Sequence, residues 1–534
     1  MLATDAVRDP VSGAIVCNVQ VRNPSIAELE AAAVGKTVAT TRIQDYPNGV
    51  QPITNILVTP EESIRDCVPM NIFGHGNVSQ AAADYVTSDK KGIRDLDQDF
   101  AELLLTGELY EGWGAGPVSF AAGLTYRQES FNQYTRPIDF ERSPSQDASV
   151  GIRGISVGIT GGNRSIHQFS ATSWARGSFD VWEWFTELNV PIWESGSGQR
   201  LDSTLAFRQS EYSATGQIES WKVGLEFQAF EDLRLRVTQS RDVREPTFGE
   251  QFESGGGGAN IQDPVTGNSY TITRLTGGNA NLAPEEADTL TAGFVWTPTF
   301  ANWIEGLQLS ADWYEIDVAG RVNTLSAQRI IDDCQAGDQS LCGLITRNAA
   351  GTIERVLDIN LNVAAGVTSG VDIEARYDMQ PDFFGNQEES LSFRMFAGKL
   401  LENSVTTAVY RDDLGSVSSP EWNATGTVGY RVGNYGVRLI GRYYDSTLIN
   451  VLWQEGRDVD DNTVASQTVF NMAFDYRGET SSGSTWVAAL NVSNIMDRDP
   501  SVRPSSSLRG GQQGISGNYD VFGRRYQLSL NYSF

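Results

Sequence analysis

The sequence predicts an all-β fold: an antiparallel meander of long strands that crosses a membrane as a β-barrel. The last fourteen residues, 521–534, alternate between a large apolar face and a polar face, as a strand with lipid on one side and water on the other requires. The apolar face carries Phe522, Tyr526, Leu528, Leu530, Tyr532 and Phe534. Apolar residues make up only 40% of the chain, and no run approaches the roughly 20 that a spanning helix needs. A membrane-spanning chain of this kind is therefore expected to use strands, since lipid leaves the backbone no other partners.

The same alternation recurs along the chain and predicts about fifteen strands. They lie near 97–112, 116–132, 174–192, 199–211, 217–230, 232–243, 286–298, 304–318, 368–380, 389–401, 421–432, 434–446, 465–477, 484–495 and 521–534. Short connections alternate with long ones at 133–173, 244–285, 319–367, 402–420, 447–464 and 496–520, and the short 212–216 connection is the exception. This alternation is typical of barrels with short periplasmic turns and long extracellular loops.

Tryptophans mark the expected membrane boundaries, because aromatic side chains collect where lipid meets water. Five of them fall near predicted strand ends: Trp113, Trp193, Trp221, Trp296 and Trp422. A soluble β-sandwich or carbohydrate-binding β-protein also alternates, but its strands are usually about five to six residues long. The strand lengths therefore favour the membrane barrel over the soluble alternative.

Composition excludes several classes of function. A net charge of −27 argues against a general nucleic-acid binder and favours acidic loops facing the medium. With two histidines and no phosphate loop, nucleophile–base arrangement or clustered metal ligands, the sequence predicts neither an enzyme nor a cofactor or metal site. The glycine run 255–258 could be a mobile loop tip that closes over a ligand, but such a run is more often only a flexible linker.

The four cysteines form two separated pairs, Cys17 with Cys67 and Cys334 with Cys342. Neither spacing fits a zinc or redox CxxC site, so we expect two disulfides that pin loops in an oxidising envelope compartment. The short 334–342 bridge would contribute about 2–3 kcal/mol by the loop-entropy relation.

Four stretches together resemble the C-terminal barrel of the TonB-dependent outer-membrane receptors. They are the segments 244–252 (REPTFGEQF), 278–289 (GNANLAPEEADT), 491–497 (NVSNIMD) and 519–526 (YDVFGRRY). Ala280 and Ala283 depart from the commonest residues of the family's pattern in the second segment. Family members carry a signal peptide, an energy-coupling box and a plug ahead of a 22-stranded barrel. Since the chain shows none of the three, the resemblance implies an incomplete barrel of about 15 of the 22 strands. The chain would then be either a truncated product or a part of a longer protein.

The resemblance also implies a function. It predicts residues 1–96 as an extracellular loop region with a short helix capped by Ser79, and residues 97–534 as the receptor barrel. Such a barrel lies in the outer membrane of a Gram-negative bacterium and imports a scarce extracellular ligand, of siderophore, cobalamin or oligosaccharide class. A TonB-type coupling protein would act through the plug, and Phe534 would be read by the barrel-assembly machinery. A passive porin-like channel, a non-functional truncated receptor and an extracellular sugar-binding protein remain alternatives.

Candidate ligand-binding residues lie at the expected mouth of the barrel. Asn279, Asn281 and Glu285 precede a descending strand, where they either shape the mouth or only stiffen a turn. The aromatic residues Tyr443, Tyr444 and Trp453 could stack on a flat ligand or belong to the membrane girdle.

Overall fold

The computed structural model describes residues 6–22, 42–46, 49–53, 66–74, 76–87, 92–112, 114–135, 175–385, 387–407, 410–481, 483–499, 502–503, 513–514 and 522–533. Its main feature is one sheet of fifteen long strands, labelled β1 to β15. Their bounds are Gly92–Tyr110, Val118–Thr135, Ala175–Glu194, Arg200–Tyr212, Gly216–Phe230, Leu233–Arg244, Glu285–Trp296, Leu307–Thr324, Ile353–Met379, Glu389–Thr406, Trp422–Val432, Tyr435–Tyr444, Gln467–Glu479, Thr485–Ser493 and Arg525–Ser533. Each of the fifteen predicted segments overlaps one of these strands, so the predicted meander is confirmed. The terminal Phe534 lies outside the described residues.

Each strand pairs antiparallel with the next, from β1–β2 through to β14–β15. Within the described residues no ladder joins β15 back to β1, and all 19 residues of β1 are exposed. The sheet therefore curves as a barrel wall with two free edges, in agreement with the incomplete barrel that the sequence predicts.

The two faces of the wall differ as the alternation predicts. Across β14 and β15, Trp486 pairs with Tyr532, Ala488 with Leu530 and Leu490 with Leu528, all on the outward face. Leu528 and Leu530 are 81% and 70% exposed, which places bare apolar side chains where a membrane barrel meets lipid. The register puts Trp221, Trp296 and Trp422 on the same outward face near strand ends, whereas Trp113 lies outside the described residues.

The inward face is polar, and glycines make room for its charge pairs. Arg236 and Asp312 lie on either side of Gly293 in the register, and their side chains bond across it at 2.6 and 2.7 Å. A Cβ on Gly293 would approach Asp312 Oδ1 to 2.1 Å. Arg431 and Asp475 bond across Gly436 in the same manner. A glycine between an arginine and an aspartate on neighbouring strands thus allows an ion pair to span three strands.

Two predicted loops prove to be folded. The 244–285 connection holds the helix Phe248–Phe252 and a hairpin of Ser254–Gln262 with Ser269–Gly277, so the glycine run is strand and the linker prediction is wrong. The 319–367 connection holds the helices Ala327–Ala336 and Gln339–Cys342 and the strand Ile345–Arg347. Strand β9 begins at Ile353, well before the predicted 368. Its first part pairs in parallel with the hairpin strand Ser269–Gly277 and has buried side chains on both faces, such as Asp358 and Ile359. It therefore lacks the lipid–water alternation on which the strand prediction depended.

The remaining elements are short. Ala6–Arg8 pairs with Ile15–Cys17, and the helix Asn18–Arg22 follows. Arg42–Tyr46 pairs with Gly49–Ile53, Thr447–Leu448 with Thr463–Val464 and Val502–Arg503 with Gln513–Gly514. Tyr410–Asp412 extends the edge of β10, and Asn302–Ile304 is a 3₁₀ turn. The predicted short helix is Gln80–Val86, where the Ser79 hydroxyl accepts a bond from Ala82 N at 3.2 Å. Among the described residues, no helix is both long and apolar enough to span a membrane.

Candidate functional site at the barrel mouth

A folded lobe stands on the long-loop side of the wall. This outer lobe comprises residues 254–277 and 325–361, and it has its own apolar core. The core residues are Ile261, Ile272, Leu325, Ala327, Ile330, Ile331, Leu341, Ile353 and Val356. The predicted Cys334–Cys342 disulfide is present and ties its two helices together, and the Cys17–Cys67 disulfide is present in the N-terminal region. A loop with a packed core presents a defined surface to the medium, as ligand recognition requires.

A buried ion pair joins the two halves of the outer lobe. The Asp263 side chain is fully buried and accepts two bonds from Arg347, at 2.9 and 3.1 Å. It also accepts a bond from the Tyr270 hydroxyl at 2.9 Å, and that hydroxyl accepts one from Ile353 N. The Arg347 guanidinium, together with the Val265 amide and the Tyr270 hydroxyl, lowers the pKa of Asp263 to about 2 against the opposing effect of burial. The hairpin is therefore locked to the end of the helical segment.

A second set of charges closes the base of the lobe where it joins the wall. This latch consists of Arg244, Glu250 and Glu285, from the end of β6, the helix Phe248–Phe252 and the start of β7. The Arg244 guanidinium bonds Glu250 at 2.9 and 3.1 Å and Glu285 at 2.7 and 2.9 Å. Glu285 also accepts the Val322 amide at 2.6 Å. Partial burial works to raise the pKa of Glu250, but bonds from Arg244 and Thr247 lower it below its usual range.

The predicted residues Asn279 and Asn281 lie beside the latch. The Asn279 amide donates to Asn360 O at 3.0 Å and its carbonyl oxygen accepts from Asn281 N at 3.0 Å. Asn360 in turn donates to Glu250 O at 3.1 Å. The structure thus brings Asn279, Asn281 and Glu285 together, and their bonds go to neighbouring chain segments. Ligand contact by these three residues stays a prediction, and their geometry favours a role in holding the mouth.

Sequence reasoning missed the partners on β9. Asn362 donates to Ala283 O and Gly320 O at 2.8 and 2.7 Å, and it accepts from Ala283 N at 2.8 Å. Asn360 and Asn362 fall two residues apart inside a stretch predicted as loop. Their common spacing was the available signal, since it places both side chains on one face of a strand.

The predicted aromatic residues face different ways. Tyr443 shares the outward face with Leu439, and its hydroxyl donates to Asp445 at 3.0 Å. Tyr444 lies on the opposite, inward face. Trp453 lies in the loop after β12, where its carbonyl oxygen accepts from Asn462 at 3.2 Å. The outward position of Tyr443 is that of a girdle residue, and only Tyr444 of the two tyrosines faces the mouth. Their part in ligand binding remains untested.

The helix Phe248–Phe252, which carries Glu250 of the latch, packs against aromatic side chains on the inward face of the wall. Phe248 lies 5.4 Å from Phe131 and 5.2 Å from Phe179, centroid to centroid, on the inward side of β2 and β3. The Phe252 ring covers Gly177, where a Cβ would approach within 2.2 Å. The helix therefore folds over the inward face and narrows the opening, and Gly177 is a structural requirement that the sequence did not reveal.

The mouth presents charged and polar surfaces to a solute. In the described part of the chain, no group of three or more His, Cys, Asp or Glu side chains is placed to hold a metal ion. A charged rim, a rigid lobe and a polar inner wall suit selective capture of a solute on its way through the barrel.

This architecture defines a membrane β-barrel with a folded outer surface. Residues 50–495 match the family model described as TonB dependent receptor-like, beta-barrel, and the chain therefore belongs to this family. Barrels of this family sit in the outer membrane of Gram-negative bacteria. The resemblance predicted from the four segments is thus confirmed. No curated protein is similar enough in sequence to count as a match.

Solved structures share the fold at low sequence identity. The siderophore receptor PirA from Acinetobacter baumannii superposes with a TM-score of 0.53 at 14% identity, over 86% of this chain and 57% of its own. A double mutant of the ferric enterobactin receptor PfeA from Pseudomonas aeruginosa gives 0.54 at 13% identity, over 82% and 54%. This chain therefore spans little more than half the length of these receptors.

Proposed function

We propose that the chain forms the barrel wall and outer mouth of a receptor that imports a scarce iron chelate of siderophore type. The observation that carries the proposal is the folded outer lobe. It has its own core, a disulfide and a buried ion pair, and it stands on the long-loop side of a wall with an apolar outward face. A channel that only sieves solutes by size needs no such rigid surface above its pore.

The siderophore class is proposed over cobalamin and oligosaccharides because the similar solved structures are siderophore receptors. In this proposal the lobe and rim capture the chelate, and the inner wall lines its path. Energy comes from a TonB-type protein that acts through a plug domain. The outward face contacts outer-membrane lipid, and the end of β15 is recognised by the barrel-assembly machinery. None of these steps involves an enzymatic reaction by this chain.

The test is an in-frame deletion of the gene in the source bacterium under iron starvation. Uptake of ⁵⁵Fe presented as catecholate, hydroxamate and carboxylate chelates is measured with and without a proton uncoupler. We expect loss of energy-dependent uptake of one chelate class, with recovery from a plasmid copy. The same strain is assayed with labelled cobalamin and with maltodextrins.

The outcomes separate the alternatives. Loss of cobalamin or maltodextrin uptake alone would contradict the siderophore class but keep the receptor. Uptake that persists with the uncoupler and still depends on the gene would point to a passive channel. Unchanged uptake of every ligand would refute the receptor proposal.

A further inference from the structure

The hairpin of the outer lobe presents a free sheet edge. Its strand Ser269–Gly277 lies in the middle of the lobe's sheet, with Ser254–Gln262 antiparallel on one side and β9 parallel on the other. Among the described residues, no strand pairs with the far side of Ser254–Gln262, which we call the edge strand. Such an edge carries a row of backbone N–H and C=O groups that can pair with another extended chain.

The ladder fixes which backbone groups of the edge strand point outward. In an antiparallel pair, successive residues turn both backbone groups alternately toward the partner strand and away from it. Gln262 turns both groups away, because the side chain of Gln328 binds them from the free side. Its Oε1 accepts from Gln262 N at 2.7 Å, and its Nε2 donates to Gln262 O at 3.0 Å. The ladder has no register shift, so Asn260, Gly258 and Gly256 share this orientation.

These three residues keep their outward groups unbound. Gly256, Gly258 and Asn260 are exposed, and within the described ranges none of their outward N–H or C=O groups takes part in a hydrogen bond. They recur at steps of two residues, about 7 Å apart, which is the repeat of an extended chain. Three residues with an N–H and a C=O each therefore offer a regular row of partners to one added strand.

The glycine run removes the obstacles that usually protect such an edge. Proteins commonly block sheet edges with charged side chains, proline or a covering helix. The run 255–258 has no side chains, and a glycine inside a strand often marks a place where another backbone approaches closely. A Cβ on Gly257 would meet nothing within 4 Å, so the space beside the run is open. The Gln262 end, by contrast, is blocked by Gln328.

Charge and side-chain volume select the occupant of the edge. Glu253 is exposed directly before the edge strand, and Asp332 lies at its other end, where it accepts a bond from Gln328 at 2.8 Å. These carboxylates and the net charge of −27 attract a cationic chain. Two copies of this protein paired across the glycine run would set glycine against glycine and leave the space beside it unfilled. Large side chains of a different polypeptide would fill that space.

We infer that the edge strand binds an extended cationic segment of another polypeptide, which adds a strand to the lobe's sheet. The backbone groups of Gly256, Gly258 and Asn260 supply the pairing, and the open space beside the glycines accepts the side chains of the added strand. In this mode of recognition, main-chain hydrogen bonds give affinity and alternate side chains give specificity. The inference goes beyond ligand import, because the edge lies on the outer lobe and its pairing needs neither the lumen nor an energy source.

The test is isothermal titration calorimetry at low salt on the full protein, purified in detergent from outer membranes of the source bacterium. The probe is a synthetic peptide as long as the edge strand, which alternates threonine with lysine, has a central tyrosine and is blocked at both ends. We expect Gly258→Pro to weaken peptide binding at least about tenfold, because proline lacks the outward N–H and its ring obstructs the added strand. The matched controls are Gly258→Ala, which keeps that N–H, and Gly257→Ala, whose backbone faces Ser269–Gly277. Each should change the affinity less than about threefold.

A second variant and two further peptides isolate main-chain pairing and charge. Gln328→Ala frees the N–H and C=O of Gln262 for the added strand and should strengthen peptide binding about threefold. A peptide methylated on its backbone nitrogens, and one with glutamate in place of lysine, should each bind at least about tenfold more weakly. Hydrogen exchange at Ile272, in the strand beside the edge strand, verifies that each variant keeps a folded lobe.

Absence of peptide binding to the wild type, or equal binding by a folded Gly258→Pro variant, would overturn the inference. Equal binding of the methylated peptide would assign the contact to side chains, and equal binding of the glutamate peptide would exclude a cationic partner, so either result would also overturn it. If Gly258→Pro failed to fold, the two peptides and Gln328→Ala would decide, with weaker binding by a folded Gln328→Ala variant counting against the inference.

Two other occupants of the edge have their own signatures. Slow exchange of the Gly256 and Gly258 amides in the peptide-free monomer would show that another segment of this protein already covers the edge. Self-association of the wild type that Gly258→Pro abolishes would identify a second copy as the occupant. Either result would overturn the inference. None of these measurements requires transport, so their outcome is separate from the deletion test.

Discussion

Replacement of Asp263 by Asn tests whether the outer lobe owes its rigidity to the buried ion pair. The Asp263 side chain is 0% exposed and that of Arg347 is 31% exposed. Removal of one member of a fully buried pair costs about 3–5 kcal/mol because the other charge is left uncompensated. Arg347 is partly hydrated and keeps its bond to Gly351 O at 2.8 Å, so we expect a smaller local loss of about 2–3 kcal/mol.

Hydrogen exchange measured by mass spectrometry reports this loss directly. A decrease of 2–3 kcal/mol in opening free energy corresponds to roughly 30- to 150-fold faster exchange of amides in the lobe core, such as those of Ile272 and Val356. The control is Asp333→Asn in the same lobe, which removes a helical i,i+4 pair with Arg329 and should cost only about 0.3–0.5 kcal/mol. If Asp263→Asn exchanged no faster than Asp333→Asn, the assigned role of the buried pair would be refuted.

The same pair predicts a pH dependence. Because the pKa of Asp263 falls from an ordinary 3.8 to about 2 in the folded lobe, its stabilisation is complete above about pH 4 and is lost as the pH falls toward 2. Pepsin cleavage within residues 254–277 and 325–361 should therefore accelerate across this interval in the wild type. The Asn variant should be cleaved rapidly throughout. A ratio of the wild-type rate to the Asn-variant rate that stayed constant between about pH 4 and pH 2 would contradict the assignment to Asp263.

Three further predictions concern the disulfide, the inner wall and the sheet edges. Reduction of the Cys334–Cys342 disulfide should lower the free energy of opening of the outer lobe by about 2–3 kcal/mol, and residues 327–347 should then be cleaved faster by a protease. Unchanged proteolysis after verified reduction would contradict this stabilising role of the disulfide. Gly293→Ala should force apart the ion pair between Arg236 and Asp312, with a stability loss of about 1–3 kcal/mol, and so reduce the amount of assembled protein in outer membranes. The control Gly426→Ala should be tolerated, because the space around its Cβ is open. Equal yields of the two variants would refute the reasoning. The chain expressed by itself should give no compact heat-modifiable band on a detergent gel, because no described strand pairs with the outer edge of β1 or of β15. A band that shifts on boiling would show that the edges close.

The alternation of large apolar and polar residues was enough to predict all fifteen wall strands. A strand between lipid and water has one environment on each side, so its pattern can be read without knowledge of its neighbours. The sequence did not predict the strands within residues 254–277 and 353–367. Their side chains pack against other loop segments, so no lipid–water alternation marks these strands. The Gly255–Gly258 run pairs with Thr273–Thr276, and no local pattern of the run itself encodes that partner.

The candidate site, like the fold, could be predicted from the sequence only in part. The segments around Arg244 and Asn279 indicated the mouth, and the cysteine spacing predicted both disulfides. The sequence could not show that Glu250 and Glu285 share one guanidinium, or that Asn360 completes the latch from about 80 residues beyond Asn279. These contacts depend on how β6, β7 and β9 lie side by side.

The sequence by itself determined the strand count, the faces of the wall, the two disulfides and the receptor family, because each depends on local periodicity or short motifs. Only the tertiary structure decided which charges meet. Registers between strands place Arg236 and Asp312 on either side of Gly293. A shift of one residue in a strand reverses the face of every side chain, so the charge of the lumen is a property of pairing between distant segments.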